Sequence, residues 1–212
     1  MGKNLLFDII FYFQLFGTIL YIFFLVWIVF GLRRLVVKSK KSDQPFVSVI
    51  IAARNEEKNI GTCLNTLLQQ NYPKDKIEIV VVDDHSEDAT AQICQTFQQN
   101  RIKLFSLGDV SGISPKKAAL HYAIQQSQGD IILVTDADCR ASKTWVSTVV
   151  NYFDENTAAV ASWLYVEENG SLLSKIESLD SLSLSFVGAA GFGWRKPFIA
   201  NGANFAYRRE VY

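Results

Sequence analysis

A run of eighteen uncharged residues near the amino terminus limits the fold of this chain more than any other feature. Residues 15–32 read LFGTILYIFFLVWIVFGL. As a helix this run would be about 27 Å long, which is close to the roughly 30 Å thickness of a bilayer's hydrocarbon core. We therefore predict that residues 1–34 form an N-terminal transmembrane anchor.

Basic residues after this run indicate its orientation. Lys3 is the only cation before it, whereas Arg33 and Arg34 follow it directly, and Lys38, Lys40 and Lys41 come next. The positive-inside rule then predicts a single-pass membrane protein whose remaining residues are cytoplasmic. Residues 35–45 are predicted to be a basic juxtamembrane linker.

Two other interpretations of the run fit less well. A cleaved signal peptide would have a shorter apolar region, with its charges before the run and a small-residue cleavage site after it. A buried core helix would not be expected to combine an uninterrupted, aromatic-rich run with five following cations.

Composition and cysteine spacing exclude several classes of protein. Twenty-one basic residues balance twenty-one acidic ones, so no nucleic-acid partner is expected, and a hydrophobic content of 49% excludes a disordered chain. The three cysteines, Cys63, Cys94 and Cys139, are far apart. This spacing argues against a disulfide framework or a zinc site, and it favours buried cysteines that fill space.

From residue 46 onward the pattern alternates between short β-branched runs and helical periodicity. Strands are predicted at residues 47–51, 77–82, 102–107 and 131–134, with helices after each of the first three. This order predicts an α/β fold with a mainly parallel sheet and helices on both of its faces. Residues 171–187 are predicted to form an amphipathic helix with a buried or membrane-surface face. Residues 188–194 could be an acceptor-side loop or a tight packing corner.

Three of the predicted strands end in polar clusters. These clusters are Arg54-Asn55-Glu56, Asp83-Asp84, and the pair Asp136 and Asp138. Ligands of open α/β sheets bind outside the carboxyl ends of the strands, so the clusters are expected to meet. Two carboxylates one residue apart on a turn suit Mg²⁺ or Mn²⁺, which favour carboxylate and phosphate oxygens.

Five segments together resemble family-2 glycosyltransferases, the inverting enzymes of the GT-A (Rossmann-like) fold. The segments are VSVIIAARNEEKNI (47–60), VVVDDHSEDAT (80–90), SPKKAALHYAI (114–124), DIILVTDADC (130–139) and NGANFAYRREVY (201–212). They occur in the family's order and span nearly all of residues 46–212, which the resemblance therefore implies to be a GT-A domain.

The resemblance implies roles for individual residues. The nucleotide donor is expected to contact the first loop, the acid after the second strand, the basic helix start and the first acid of the D-x-D pair. These donor-binding residues are Ala52, Arg54, Glu56, Asp84, Lys116 and Asp136. Asp138, with Asp136, is expected to hold the cation. Gly202, Ala203 and Asn204 are expected to shape the sugar and acceptor pocket.

Three positions depart from the family pattern and leave the donor base and the fine specificity open. Arg54 stands where an aromatic or small residue is frequent, Pro115 replaces a glycine, and His121 replaces the usual asparagine. Neither His85 nor His121 is expected to act as an acid or base, because a histidine in a turn or on a helix face is usually structural or exposed.

The expected function is metal-dependent transfer of a sugar from a nucleotide diphosphate donor, most simply a UDP-sugar, with inversion. The acceptor would be a lipid-linked or polysaccharide glycan at the membrane. The family's general base is expected beyond Tyr212, so we expect the chain to be a fragment that is inactive alone. Alternatives are a non-catalytic donor-binding fragment and a nucleotidyltransferase on a similar platform. The latter would be expected to carry a glycine-rich loop, which AARNEEKN (52–59) is not.

Overall fold

The computed structural model describes residues 2–35, 43–98, 101–109, 112, 114–167 and 170–212. Most of the predicted linker, including Lys38, Lys40 and Lys41, lies outside the described residues. The chain divides into two compact units. One unit comprises residues 1–37 and 165–200, and the other comprises residues 38–164 and 201–212.

Six helices and six strands are described, in addition to two short 3₁₀ turns. In chain order they are α1 (Gly2–Arg34), β1 (Val47–Ala53), α2 (Ile60–Leu68), β2 (Ile77–Asp83), α3 (Thr90–Thr96), β3 (Ile102–Ser106), α4 (Pro115–Gln126), β4 (Ile131–Val134), α5 (Trp145–Val150), β5 (Ala159–Ala161), α6 (Leu172–Gly193) and β6 (Phe205–Arg208). The four predicted strands are present, each within two residues of its predicted bounds, and the fold class is confirmed.

The strands form one mixed sheet in the order β3-β2-β1-β4-β6-β5. Strands β1 to β4 are parallel, while β6 runs antiparallel to both β4 and β5. The chain moves outward from β1 to β3 and then returns to β4 on the other side of β1. The strand order therefore reverses between β1 and β4, and a crevice opens at the carboxyl ends of such a pair.

Both faces of the sheet are buried, as the near-continuous apolar strands predict. On one face, alternate residues of β1, β2 and β4 pack with α2 and α5, and Ile60, Cys63, Leu64 and Leu67 form the buried stripe of α2. On the other face, the intervening strand residues pack against α4. This double cover fixes the register of the strands and hence the position of the loops at their ends.

The strands are held together at their opposite, amino-terminal ends by a buried carboxylate. Glu78 accepts hydrogen bonds from the Ser48 hydroxyl at 2.5 Å and from the Gln128 backbone, and it pairs with Lys103 at 2.8 Å. Burial opposes ionisation of Glu78, but these three partners outweigh it and hold its pKa below the ordinary value. Gly129 donates to Ser48 Oγ, so β1, β2 and β4 share one network.

The unit formed by residues 1–37 and 165–200 contains α1 and α6. Among the described residues, one helix has the length and composition of a membrane span: Leu5–Arg34, in which an 18-residue window has a mean hydropathy of 2.5. Its side chains are exposed along most of its length. That exposure suits a helix surrounded by lipid.

Helices α1 and α6 touch through glycines. A Cβ atom on Gly193 would lie 1.8 Å from the Gly31 carbonyl oxygen, and a Cβ on Gly31 would lie 2.6 Å from the Ala190 carbonyl oxygen. Trp194 donates from its indole nitrogen to the Trp27 carbonyl at 3.0 Å, and the two rings stack. Residues 188–193 belong to α6 and pack closely, so of the two alternatives for this segment the structure has the packing corner and not the loop.

Candidate active site

A cleft of about 280 Å³ opens at the carboxyl ends of β1, β2 and β4. It lies where the strand order reverses, so the sheet topology alone places it. Its lining residues come from the β1 loop, the β2 end, the start of α4 and the β4 turn. They are Ala52, Ala53, Arg54, Glu56, Asp84, Lys116, Asp136, Ala137 and Asp138.

The turn after β4 presents its two carboxylates differently. The Thr135 amide still donates to the β1 carbonyl of Ile50, and the Cys139 amide then closes a turn onto the Asp136 carbonyl. Ala137 is buried in the core, which leaves Asp136 partly buried and Asp138 exposed. The short apolar residue between the two acids thus anchors the turn and directs both carboxylates outward.

Lys116 forms an ion pair with the first of these acids. Its Nζ atom lies 2.7 Å from Asp136 Oδ1, and the two side chains are 59% and 33% exposed. Lys116 stands in the first turn of α4, directly after Pro115, a residue that suits a helix start. The pair is open to solvent, so it can rearrange when a charged ligand enters the cleft.

The β1 and β2 loops are joined by reciprocal hydrogen bonds, which we call the loop clasp. The Asn55 amide donates to Ser86 Oγ at 3.0 Å, and the Glu87 amide donates back to Asn55 Oδ1 at 2.8 Å. The Glu56 amide donates to Thr90 Oγ1 at 2.7 Å. The clasp holds the first loop against the β2 end and so shapes one wall of the cleft.

Asp84 follows the end of β2 and also lines the cleft. Its backbone amide donates to the Ala53 carbonyl at 2.8 Å, and its side chain is buried apart from the surface it gives to the cleft. His85, at φ 56°, places Nδ1 3.1 Å from Asp84 Oδ1. The backbone of Asp84 is therefore fixed to the end of β1, and its carboxylate is fixed by the His85 side chain.

The residues of the cleft suit a hard divalent cation that is also coordinated by the phosphates of a bound ligand. Asp136 and Asp138 supply carboxylate oxygens, and Mg²⁺ typically takes one or two protein carboxylates with substrate phosphates and water. Among the described residues, no group of three or more acids, histidines and cysteines forms a complete metal cage. The donor set therefore fits a cation that arrives with a phosphate-bearing ligand.

The thiol of Cys63, which lies next to the β4 turn, is expected to be unreactive. Burial, followed by the nearby Cys139 and Asp138, raises the pKa of the Cys63 thiol to about 12. Its Sγ atom contacts the Asp136 carbonyl at 3.7 Å. A thiol that stays protonated is a poor nucleophile. This agrees with the prediction that it fills space.

The structure gathers the predicted donor and metal residues but not the predicted acceptor residues. Ala52, Arg54, Glu56, Asp84, Lys116, Asp136 and Asp138 all line the cleft. Gly202, Ala203 and Asn204 form a 3₁₀ turn and are not among its lining residues. Their predicted role remains untested.

The side chain of Asn204 is instead engaged within the protein. It accepts from the Trp145 indole at 2.9 Å and donates to the Trp163 carbonyl at 2.8 Å. Ala53 and Ala137 also line the cleft. Ala53 lies in the first loop that was expected to contact the donor, whereas Ala137 was not assigned a role from the sequence. Its position between the two acids was the available signal.

Comparisons with known proteins give the family. The model described as Glycosyl transferase family 2 matches residues 48–212. The probable glycosyltransferase YdaM of Bacillus subtilis (strain 168) is 31% identical over 180 residues, which cover 82% of this chain and 43% of that protein. The chain thus spans less than half the length of that relative.

Two solved structures have a similar fold. Mannosyltransferase PcManGT from Pyrobaculum calidifontis, in complex with GDP-Man and Mn²⁺, gives a TM-score of 0.67 at 24% identity, over 89% of this chain and 52% of that one. S. aureus TarS 1-349, in complex with UDP-GlcNAc, gives 0.55 at 25% identity, over 78% and 46%. Because the family model matches most of its length, the chain belongs to glycosyl transferase family 2.

Proposed function

We propose that this chain carries the donor-binding half of an enzyme that transfers a sugar from a nucleotide diphosphate to an acceptor at a membrane. The observation that carries the proposal is the meeting of Asp84, Lys116, Asp136 and Asp138 in one cleft. These residues come from three separate segments of the sequence, and the reversal of strand order brings the segments together.

In this proposal one side of the cleft binds the nucleobase of the donor and the other side binds its diphosphate. The backbone amide of Asp84 donates to the Ala53 carbonyl and its carboxylate contacts His85, and this carboxylate can accept hydrogen bonds from N–H groups of a nucleobase. On the other side, Lys116 can donate to diphosphate oxygens as a point charge. A UDP-sugar is our proposed donor, since the imide N–H of uracil offers a single donor to one carboxylate.

Asp136 and Asp138 would hold Mg²⁺ or Mn²⁺ together with the diphosphate. When bound, such an ion supplies positive charge that neutralises the leaving group. PcManGT, solved with GDP-Man and Mn²⁺, supports the pairing of this fold with a divalent cation. TarS, solved with UDP-GlcNAc, supports a uridine donor.

The catalytic base stays unassigned. The four carboxylates that line the cleft, Glu56, Asp84, Asp136 and Asp138, are all placed with donor or cation in this proposal. Inverting transfer needs a further carboxylate at the acceptor hydroxyl. We therefore expect donor binding by residues 1–212 and little or no sugar transfer.

The proposed location at a membrane is based on α1. Its apolar length fits a span, and Arg33 and Arg34 end it. By the positive-inside rule these arginines support a cytoplasmic location for the residues that form the cleft. An enzyme held there would meet a lipid-linked acceptor or a growing cell-envelope polysaccharide close to the bilayer.

The direct test is calorimetry of UDP binding to the full chain in lipid nanodiscs, with and without Mn²⁺. We expect saturable binding that needs Mn²⁺ and is lost in Asp138→Asn, which keeps the shape of the side chain and removes its charge. Asp75→Asn is the matched control, because Asp75 is an exposed acid outside the cleft. Binding that is equally strong without Mn²⁺ and in Asp138→Asn would refute the metal-dependent assignment.

A further inference from the structure

The first half of α6 has its polarity reversed relative to a helix of a water-soluble protein. Its large apolar side chains are exposed: Leu172 is 76% and Leu179 is 65% exposed, and Ile176 is exposed as well. Ser174, in contrast, is 4% exposed. An amphipathic helix in water places its apolar stripe inward, so this arrangement calls for an apolar environment outside the protein.

Three of the exposed apolar residues form a continuous stripe, and Leu173, Leu182 and Leu184 widen the exposed apolar face on either side of it. At 3.6 residues per turn, Leu172, Ile176 and Leu179 lie within about 60° of one another around the helix. On the same scale Lys175 lies about 40° to one side of the stripe and Asp180 about 40° to the other. A mainly apolar exposed face that carries a few long charged side chains suits a helix that lies in a bilayer interface, where those side chains reach the headgroups.

The hydroxyl groups of α6 are satisfied within the helix itself. Ser183 Oγ donates to the Leu179 carbonyl at 2.5 Å, and Ser185 Oγ donates to the Ser181 carbonyl at 2.8 Å. Serines that bond to the carbonyl four residues earlier do not need water. Ser183, which lies at the centre of the stripe, can therefore enter an apolar region at a low cost in desolvation.

Helix α6 is also fixed to the basic end of the candidate membrane span. The backbones meet at Gly31 and Gly193, and the Arg34 guanidinium lies 3.9 Å from the centre of the Trp194 ring. Close glycine contacts of this kind are common between helices in membranes. The arginines of α1 mark the level of the lipid headgroups. The carboxyl end of α6 must therefore lie at that level too.

From these observations we propose that the stripe formed by Leu172, Ile176, Leu179 and Ser183 docks on the lipid bilayer that α1 crosses. The occupant of this face is the headgroup and upper acyl region of the lipids. Among the described residues, α6 is long enough to cross a membrane but is not apolar enough to be a candidate span. It carries Lys175, Glu177 and Asp180, so it lies along the surface rather than across the membrane.

Spin-label accessibility tests this placement in the full chain. Cysteine is introduced singly at Ile176 or Leu179 in a Cys139→Ser background, since Cys63 and Cys94 are buried. Each protein is labelled with a nitroxide and placed, one chain per disc, in nanodiscs of phosphatidylcholine and phosphatidylglycerol. The accessibility of the label to oxygen and to a water-soluble nickel chelate is then measured.

A label at Glu177 is the matched control, because it is exposed on the same helix about 100° from Ile176. We expect labels at 176 and 179 to be severalfold more accessible to oxygen, relative to nickel, than the label at 177. Equal, water-like accessibility at all three positions would overturn the proposal.

A second copy of the chain is the competing occupant. Shielding at 176 and 179 that occurs only in discs with two chains, with dipolar coupling between their labels, would also overturn the proposal. The measurement uses no nucleotide, so its outcome is independent of the proposed donor site.

Discussion

Replacing Lys116 by methionine keeps the length of the side chain and removes its charge. In the structure this charge lies 2.7 Å from Asp136 Oδ1 at the edge of the cleft. If Lys116 is a donor-binding residue, its loss should weaken nucleotide binding far more than it weakens the fold. The two effects have different magnitudes and can be measured separately.

The expected effect on stability is small. Lys116 is 59% exposed and Asp136 is 33% exposed, and ion pairs this open to solvent contribute about 0–1 kcal/mol. A hydrogen bond from an ammonium group to a phosphate contributes more, about 1.5–3 kcal/mol. Its loss corresponds to a Kd for UDP that is roughly 10- to 150-fold higher.

Metal binding in the absence of nucleotide should change in the opposite direction. Lys116 competes with a cation for Asp136, so Lys116→Met should bind Mn²⁺ alone as tightly as the unmodified chain or up to about fivefold more tightly. Calorimetry with UDP plus Mn²⁺, and with Mn²⁺ alone, measures both quantities. Lys117→Met is the control, because Lys117 is exposed in the same helix and does not line the cleft. The reasoning fails if UDP affinity is unchanged in Lys116→Met, or if both variants weaken it equally.

Three further predictions concern the sheet and the thiols. Because the folded-state pKa of Glu78 is lowered, its stabilising charge is present above about pH 4.3 and is lost as the pH falls through the folded value. Glu78→Gln should lower the free energy of unfolding by about 1–3 kcal/mol at pH 7, as measured by chemical denaturation. The difference in unfolding free energy between the variant and the unmodified chain should shrink below about pH 4, and a difference that does not depend on pH would contradict this. Gly129→Ala should destabilise the fold by about 1–3 kcal/mol, because the new Cβ would lie 2.4 Å from the Ser48 nitrogen. Gly108→Ala should not destabilise the fold, because a Cβ at Gly108 would meet no atom within 4 Å. Cys63, with a pKa of about 12, should react with iodoacetamide roughly a thousandfold more slowly in the native chain than after unfolding, and rapid native labelling at Cys63 would show that the thiol is accessible.

The parallel part of the fold was predictable because its signals are local. Each of β1, β2 and β4 is a short apolar run followed directly by polar residues, and the rule for open α/β sheets converts that order into a shared site. Asp84, Asp136 and Asp138 could therefore be assigned to one cleft before any coordinates.

The features that were missed depend on contacts between distant residues. Strand β5 has three residues with no alternation, and it is defined by pairing with β6. The loop clasp joins Asn55 to Ser86 and Glu87 through hydrogen bonds that no sequence pattern predicts. Residues 188–194 mix glycine and aromatic residues in a way that suits a loop equally well. The close contacts show that these glycines serve packing: Gly193 meets Gly31 of α1, and Gly188 and Gly191 meet residues 196–199.

The stripe on α6 illustrates a different limit. The spacing of Leu172, Ile176 and Leu179 predicts an apolar face but does not say whether protein or lipid covers it. The exposure of these side chains and the burial of Ser174 exclude the first possibility for the described residues.

The central claim is that a nucleotide and a cation bind where the ends of β1, β2 and β4 meet. Hydrogen–deuterium exchange of the full chain, with and without UDP and Mn²⁺, tests this place directly. We predict slower exchange in peptides that cover residues 52–57, 84–90 and 135–139, and unchanged exchange in residues 172–184. Protection by UDP and Mn²⁺ that appears elsewhere, with those three segments unchanged, would contradict the account.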